Sequence, residues 1–273
     1  MKAEELLSGK RVIDDKYWMS KMGKDKVLVT GALGTIGRSI VDTLEPVCHV
    51  RGIDSDEARV AENPWCELGD FSDMRLADER FVFHTAAYKH VVLGEKYQDA
   101  FLQNNLFKTE RLLKKLSNGT RMVFISTDKA AGNSAMGKSK KIAEHVVADA
   151  GHVAIRLVNI ARSRGSVIDL WDRNGGVKYC GPRDVSRYFM QIQDCVAAIL
   201  RAAFLCPGIY TVVNVPKFTL GELAEVYEKR GVEFRNIPLR EGEVKEEVLF
   251  DKETEKLKET SVPYLARVVT KWA

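Results

Sequence analysis

The chain carries no excess of charge of either sign. Its 42 Lys and Arg stand against 38 Asp and Glu, a formal net charge of +4 over 273 residues. That balance gives no argument for a nucleic-acid partner and mildly favours a small anionic ligand. There is no long hydrophobic run either. The longest, CVAAILRAAFLC at 195–206, is broken by Arg201 and is about half the roughly 20 residues that span a bilayer. It reads as a core helix, and no membrane span is expected in this chain. The opening MKAEELLSGKRVIDDKYWMSKMGKDK has no apolar stretch of the secretory kind. Cysteines are few (48, 66, 180, 195 and 206) and form no C-x-x-C pair. They are expected as reduced, mostly buried thiols of a cytoplasmic protein, with no metal site. Repeats and low-complexity segments are absent. With 45% hydrophobic and 29% charged residues, the composition is that of an ordinary folded domain, and the length fits either one large domain or a nucleotide-binding domain with a smaller lobe.

What is present begins with KVLVTGALGTIGRSIVDTL at 26–44, which reads as strand, glycine turn and helix. Gly31, Gly34 and Gly37 let the turn stay tight, let backbone approach a pyrophosphate, and let the helix close on the strand. The helix N-terminus at Thr35 and Ile36 then presents N–H groups to phosphate. A second strand in VCHVRGID ends at Asp54, 17 residues past Gly37, near where an acid meets the adenosine ribose. An acid there favours NAD, while Arg51 and Arg59 keep NADP open. FVFHTAA (81–87) is a third strand whose Ala86 and Ala87 suit backbone lying against a cofactor, and Asp70 before it is a carboxylate for the adenine. RMVFIST (121–127) and HVAIRLVN (152–159) supply further strands, and helical patterns at 97–117 and 136–150 separate them. This alternation predicts an α/β fold with a Rossmann-like, doubly wound parallel sheet. Its ligands bind at the carboxyl ends of the strands, where Thr127, Asp128 and Lys129 fall. His84, inside a strand, reads as a core histidine.

TGALGTIG, AAYKHV (86–91), NN with a following Thr (104–109), STDKA (126–130), RLVN (156–159), RGSVI (164–168), RYFM (187–190) and LREGE (239–243) occur in this order over nearly the whole chain. Together they resemble the extended short-chain dehydrogenase/reductases. More narrowly they resemble the UDP-N-acetylglucosamine 4,6-dehydratases of polysaccharide biosynthesis, in the branch that has Met where others have Tyr. Here that position is Met136, four residues before Lys140. The resemblance implies NAD as a bound catalyst and a UDP-sugar as substrate. The sugar is oxidised at C4, water is eliminated across C5 and C6, and the hydride returns to C6. It assigns Asp128 and Lys129 the acid and base roles. Lys140 and Asn105 fall on the cofactor, and Met136 beside the sugar. Lys89, His90, Asn159, Ser166, Val167, Arg187, Arg240 and Glu243 fall to the sugar nucleotide, the two arginines on its diphosphate. A base must be neutral to accept a proton, so Lys129 is expected neutral and Asp128 protonated in the reactive state. Residues 241–259 otherwise read as a charged surface run.

The same resemblance implies a cofactor domain of residues 24–158 with 187–213. It implies a smaller C-terminal substrate-binding lobe of 159–186 with 214–273, an N-terminal extension of 1–23, and a homo-oligomer paired through helices 97–117 and 136–150. The chain departs from the family in a loop one residue shorter between Lys129 and Met136, in Lys108 where Gly is usual, and in REGE for RPGE. Two rival readings are a nucleotide-sugar 4-epimerase or reductase and a non-catalytic NAD or nucleotide-sugar binding protein.

Overall fold

The computed structural model describes residues 1–8, 16–173, 177–250, 255–258 and 265–269. Helices α1 (Ala3–Ser8) and α2 (Lys16–Met22) precede β1 (Lys26–Thr30). From Val27 to Thr30 every residue of β1 is buried, as befits a parallel strand covered by helices on both faces. Then come α3 (Thr35–Leu44), β2 (His49–Asp54), α4 (Glu57–Ala61), β3 (Cys66–Leu68) and β4 (Phe81–His84). The chain continues through α5 (Val91–Lys96), α6 (Gln98–Leu102), a π-turn (Gln103–Phe107) and α7 (Lys108–Leu113) to β5 (Arg121–Thr127). A 3-10 turn (Asp128–Ala131) and α8 (Ala135–Asp149) lead to β6 (Val153–Leu157). The remaining elements are β7 (Asn159–Ile160), α9 (Val167–Arg173), β8 (Lys178–Cys180), β9 (Ser186–Met190), α10 (Ile192–Ala202), β10 (Gly208–Val212), β11 (Lys217–Thr219), α11 (Leu220–Glu228), β12 (Phe234–Asn236), β13 (Glu255–Lys258) and β14 (Leu265–Val269).

The large sheet runs β13-β14-β10-β6-β5-β4-β1-β2-β3, parallel from β3 to β10. This is the expected doubly wound sheet. Strand order reverses between β1 and β4, and the crevice above that switch point is where such sheets take ligands. One apolar layer joins α2, α3 and α10 to the sheet through Met22, Ile40, Leu44 and Ile199. The opposite layer packs Leu112, Ala143 and Val147 of α7 and α8 on Leu28, Val82 and Phe124. A third apolar cluster, with Ile168, Trp171, Phe189 and Leu223, fills the smaller lobe. Within the second layer Arg156 and Glu144 form a fully buried, doubly hydrogen-bonded pair between β6 and α8. Among the described residues no helix is long and apolar enough to cross a membrane.

Several boundaries differ from expectation. The helix expected at 97–117 begins at Val91, breaks at Tyr97 and passes through the π-turn before ending at Leu113, because Asn105 is drawn inward to hold backbone, as described below. Cys66–Leu68 adds an unexpected edge strand. β9, expected in the cofactor domain, pairs with β7 and β11 in a small sheet of the lobe, so the return to the first domain begins at α10. Conversely, β14 pairs antiparallel with β10 and carries β13 beside it. Part of 214–273 therefore extends the large sheet and covers an edge whose N–H and C=O groups would otherwise lie open. The N-terminal extension is divided as well. Leu6 and Leu7 join the lobe core, while Met22 joins the sheet core. Residues 9–15 of that extension, and 174–176, 251–254, 259–264 and 270–273 of the expected lobe, lie outside the described residues.

Candidate active site

The cleft at the strand ends has a volume of about 1620 Å³. One small-ligand pocket takes roughly 300–1,000 Å³, so the cleft has room for two ligands side by side.

Its first half is the glycine turn. Gly31 has φ +66°, and a Cβ there would lie 2.8 Å from backbone atoms of Ala86. Only glycine satisfies both demands. A Cβ on Gly37 would lie 2.2 Å from the Gly31 carbonyl oxygen, so Gly37 serves helix–strand closure and does not line the cleft. Gly34, Thr35, Ile36, Asp54, Asp70, Ala86 and Ala87 do line it. Asp54 accepts hydrogen bonds from the N–H groups of Leu33 (3.0 Å) and Asp56 (3.1 Å), which fixes its carboxylate against the turn. Asp70 is ion-paired with Lys108, the residue standing in the usual Gly position, and accepts from the Ser72 N–H. Burial alone would raise its pKa, but these two partners hold it below the ordinary range. Asn105 does not reach the cleft. Its side chain, in the π-turn, brackets Tyr88 by accepting from its N–H (2.8 Å) and donating to its C=O (3.0 Å), and it also donates to Ser139. It therefore shapes the cleft wall from behind. His84 is the expected core histidine, bonded to Thr30 and Thr109, with its pKa pushed down to about 3 by burial.

The second half is built at the end of β5. The Thr127 hydroxyl accepts from the Lys129 N–H and donates to Asp128 Oδ1 (2.9 Å), opening the 3-10 turn. The shortened loop after it is closed by Ser134, which caps α8 through the Gly137 N–H (3.1 Å), and by Glu95, which accepts from the Ala135 N–H. Met136 is 3% exposed, faces Gly94 of α5 and lines the cleft. Lys140 is buried, with Nζ donating to the Ile125 carbonyl and lying 3.9 Å from the centre of the Phe124 ring. Burial lowers its pKa to about 7.

Asp128, Lys129, Asn159 and Arg187 meet around a group that sequence reasoning passed over, Glu247. Its carboxylate lies 2.7 Å from Lys129 Nζ and 3.3 Å from Arg187 Nε, and accepts from Asn159 Nδ2 at 2.8 Å. Lys129 Nζ also lies 3.3 Å from Asp128 Oδ1 and from Asn159 Oδ1. Asp128 Oδ2 is buried with no hydrogen-bond donor among the described residues, and Asp128 and Glu247 engage one another when one of the two carboxyls holds a proton. Burial, with Glu247 beside it, raises the Asp128 pKa to about 6 against the opposing charge of Lys129. Burial also disfavours the Glu247 charge, but Lys129 and Arg187 outweigh it and hold that residue ionised. The neutral Lys129 expected in the reactive state is not the form that the ligand-free chain holds. Burial pulls its pKa down, but two carboxyl groups outweigh that, so Lys129 is an ammonium in the ligand-free chain. In the run 241–259, which contains Glu241, Glu243, Glu246 and Glu247, nothing in the sequence singles out the one that turns inward.

The remaining expected residues line the same cleft: Lys89, His90, Ser166, Val167, Arg240 and Glu243. Lys89 donates to the Arg164 carbonyl (2.6 Å), and the Ser166 hydroxyl, just before α9, accepts from the Asp169 N–H. Arg240 is exposed at the rim.

Residues 71–269 match the family described as polysaccharide biosynthesis protein. The chain belongs to that family. It is 30% identical to an uncharacterized membrane protein of Methanocaldococcus jannaschii, over 88% of this chain and 85% of that one. It is 31% identical to the probable polysaccharide biosynthesis protein EpsC of Bacillus subtilis, over 76% of this chain but only 41% of EpsC. Relatives with named reactions include a UDP-glucose 4-epimerase of Rickettsia bellii (26% identity, 64% of this chain, 62% of the relative). They also include an inverting UDP-N-acetylglucosamine 4,6-dehydratase of Campylobacter jejuni (24%, 83% and 77%). Among solved structures, Pen from Bacillus thuringiensis superposes with a TM-score of 0.78 at 23% identity, over 92% of this chain and 89% of that one. The likeness at this identity is one of fold.

Proposed function

We infer that the chain is an NAD(P)-dependent nucleotide-sugar 4,6-dehydratase acting on UDP-N-acetylglucosamine. The observation that carries this reading is the pairing of a buried Asp128 with a partly exposed Lys129 at the end of β5, beside a Met136 that offers no titratable proton. Elimination of water needs an acid and a base, and the pair supplies both. Both a 4-epimerase and a 4,6-dehydratase must remove the C4 hydroxyl proton, which a thioether does not take, so in this reading it leaves through Asp128 or a water at Thr127; only the elimination has a further use for the adjacent Lys129. The named dehydratase relative supports the reading, and the named epimerase relative makes epimerisation the alternative to test.

The glycine turn fits a dinucleotide: the Gly31 backbone is open to close approach, and no side chain caps the start of α3. Bound there, the cofactor supplies reversible hydride exchange with the sugar. Gly34, Thr35 and Ile36 hold its phosphates. Asp54 takes the adenosine ribose and favours NAD, since a 2′-phosphate would meet a carboxylate. Lys140 takes the nicotinamide ribose. The lobe, with Arg187, Arg240 and Glu243, binds the uridine diphosphate. Asp128, protonated in a buried site, donates to the leaving C6 hydroxyl, and Lys129 takes the C5 proton once its own proton is gone. Met136 fills the wall beside the sugar without competing for protons. Exposed Tyr97, Phe107 and Ile142 on α6–α8 and their junctions support pairing with a second copy.

Incubation with UDP-N-acetylglucosamine, with and without NAD, followed by mass spectrometry tests the reading. A product lighter by one water is expected. An isomer of unchanged mass would favour the epimerase, and binding without conversion a non-catalytic binding protein.

A further inference from the structure

The elimination asks Lys129 to take a proton from carbon, yet the structure holds it as an ammonium between two carboxyl groups. Some group must first remove a proton from Nζ. Its side-chain partners are Asp128, Asn159 and Glu247. An amide oxygen is not a useful base. Asp128 is assigned to the leaving hydroxyl, and its Oδ1, 3.3 Å from Nζ, already accepts from Thr127. Glu247 remains. Its side chain is 3% exposed, and its 2.7 Å contact is the shortest that Lys129 Nζ makes. Glu246 next to it turns away to pair with Lys217. Glu247 is kept anionic by a second cation, Arg187, on the same oxygen, and by the Asn159 amide on the other. Arg187 also lines the cleft, so Glu247 and an incoming diphosphate compete for one guanidinium.

We propose that Glu247 is the proton acceptor for Lys129, and that a nucleoside diphosphate triggers the transfer by drawing Arg187 away from Glu247. The place of this step in turnover rests on the dehydratase reading, but the transfer itself needs only the diphosphate. One Nζ–H bond of Lys129 breaks, its electron pair stays on nitrogen, and one O–H bond forms on Glu247. No other reactant enters. With Arg187 in place, Glu247 has two cations to balance. Without it, the transfer removes the charge of the buried Glu247 carboxylate along with that of the partly exposed Lys129 ammonium, which burial of the carboxyl favours. Lys129 becomes a neutral amine at the cleft, Asp128 keeps the proton meant for the leaving hydroxyl, and departure of the diphosphate restores Arg187 and resets the pair. Glu247 thus acts through Lys129 as a positioning and proton-accepting residue.

UDP is the probe, and infrared difference spectra of the full chain, UDP-bound minus free, in H2O and D2O are the readout. The parent should gain the carbonyl band of a protonated carboxylic acid on binding UDP. Asp128→Asn should keep that band, and Glu247→Gln should bind UDP without it. Arg187→Gln should show the band already without UDP, in its spectrum minus that of the free parent. With the sugar nucleotide, Glu247→Gln should lose roughly 100-fold in turnover at neutral pH, mostly in kcat. Its rate should climb with pH as solvent deprotonates Lys129, a limb the parent lacks. UDP binding to the parent without a new carboxyl band overturns the proposal, as does a band that survives in Glu247→Gln. A band on UDP binding without loss of water from the sugar supports the relay and overturns the dehydratase reading alone. If Glu247→Gln does not fold, the parent and Arg187→Gln spectra still decide.

Discussion

Gly137 is the residue by which the short loop after Lys129 stands or falls. A Cβ placed on it would lie 2.1 Å from the Lys129 carbonyl oxygen and 2.9 Å from its carbonyl carbon. Ordinary contact begins near 3.4 Å, so Gly137→Ala must push α8 and the 3-10 turn apart by about 1.3 Å in a close-packed region. The obstacle is backbone, which no rotamer change relieves. In stability, alanine gains up to about 1 kcal/mol in a helix, while overpacking costs about 1–3 kcal/mol. The net loss is near zero to about 2 kcal/mol, a fall of a few degrees in Tm for a chain of this size. In activity the effect is larger, because the displaced carbonyl belongs to Lys129 itself. A misplacement of about 1 Å costs on the order of 100-fold. Gly132→Ala is the matched control. Its Cβ would meet the same oxygen at 3.4 Å, an ordinary contact, and its φ of −100° suits alanine. Turnover of the sugar nucleotide and thermal unfolding of both variants check this. Gly137→Ala with turnover within two-fold of the parent would refute the reasoning, as would equal damage in Gly132→Ala.

Lys140 should leave a signature in the pH dependence of stability. Burial holds it at about 7 in the folded chain against an ordinary 10.5. Between these values the unfolded chain binds more protons, so stability rises with pH across that window. In urea unfolding at a series of pH values, Lys140→Met should flatten the rise. Glu144→Gln removes the charge that balances Arg156 in a fully buried ion pair, and denaturation should show a loss of about 3–5 kcal/mol. Phe107→Glu combined with Ile142→Glu, exposed on the π-turn and on α8, should turn an oligomer into monomers in sedimentation. An unchanged sedimentation coefficient would place the contact elsewhere.

Local pattern was enough for the first half of this molecule. The strand before Gly31, the glycine spacing and the acid at Asp54 follow from neighbours a few residues apart, and the sheet that holds them follows from alternation of strand and helix. The Asp128–Lys129 pair was legible too, since both residues sit at the end of one strand. What the sequence could not show was set by distance along the chain. Asn105 was expected on the cofactor, but the π-turn turns its amide onto the Tyr88 backbone. Asp70 meets Lys108 only because the two end regions lie side by side. Gly137 looks like any helix glycine until the Lys129 carbonyl is found against it. Strand β13 falls in the charged run and β14 in the expected substrate lobe, but β14 is claimed by the open edge of β10 and carries β13 with it. The protonation of Lys129 was decided the same way, by Glu247, a residue in a run of like charges. A pKa depends on burial and on charges within a few ångströms, and those are fixed only when segments more than a hundred residues apart are brought together.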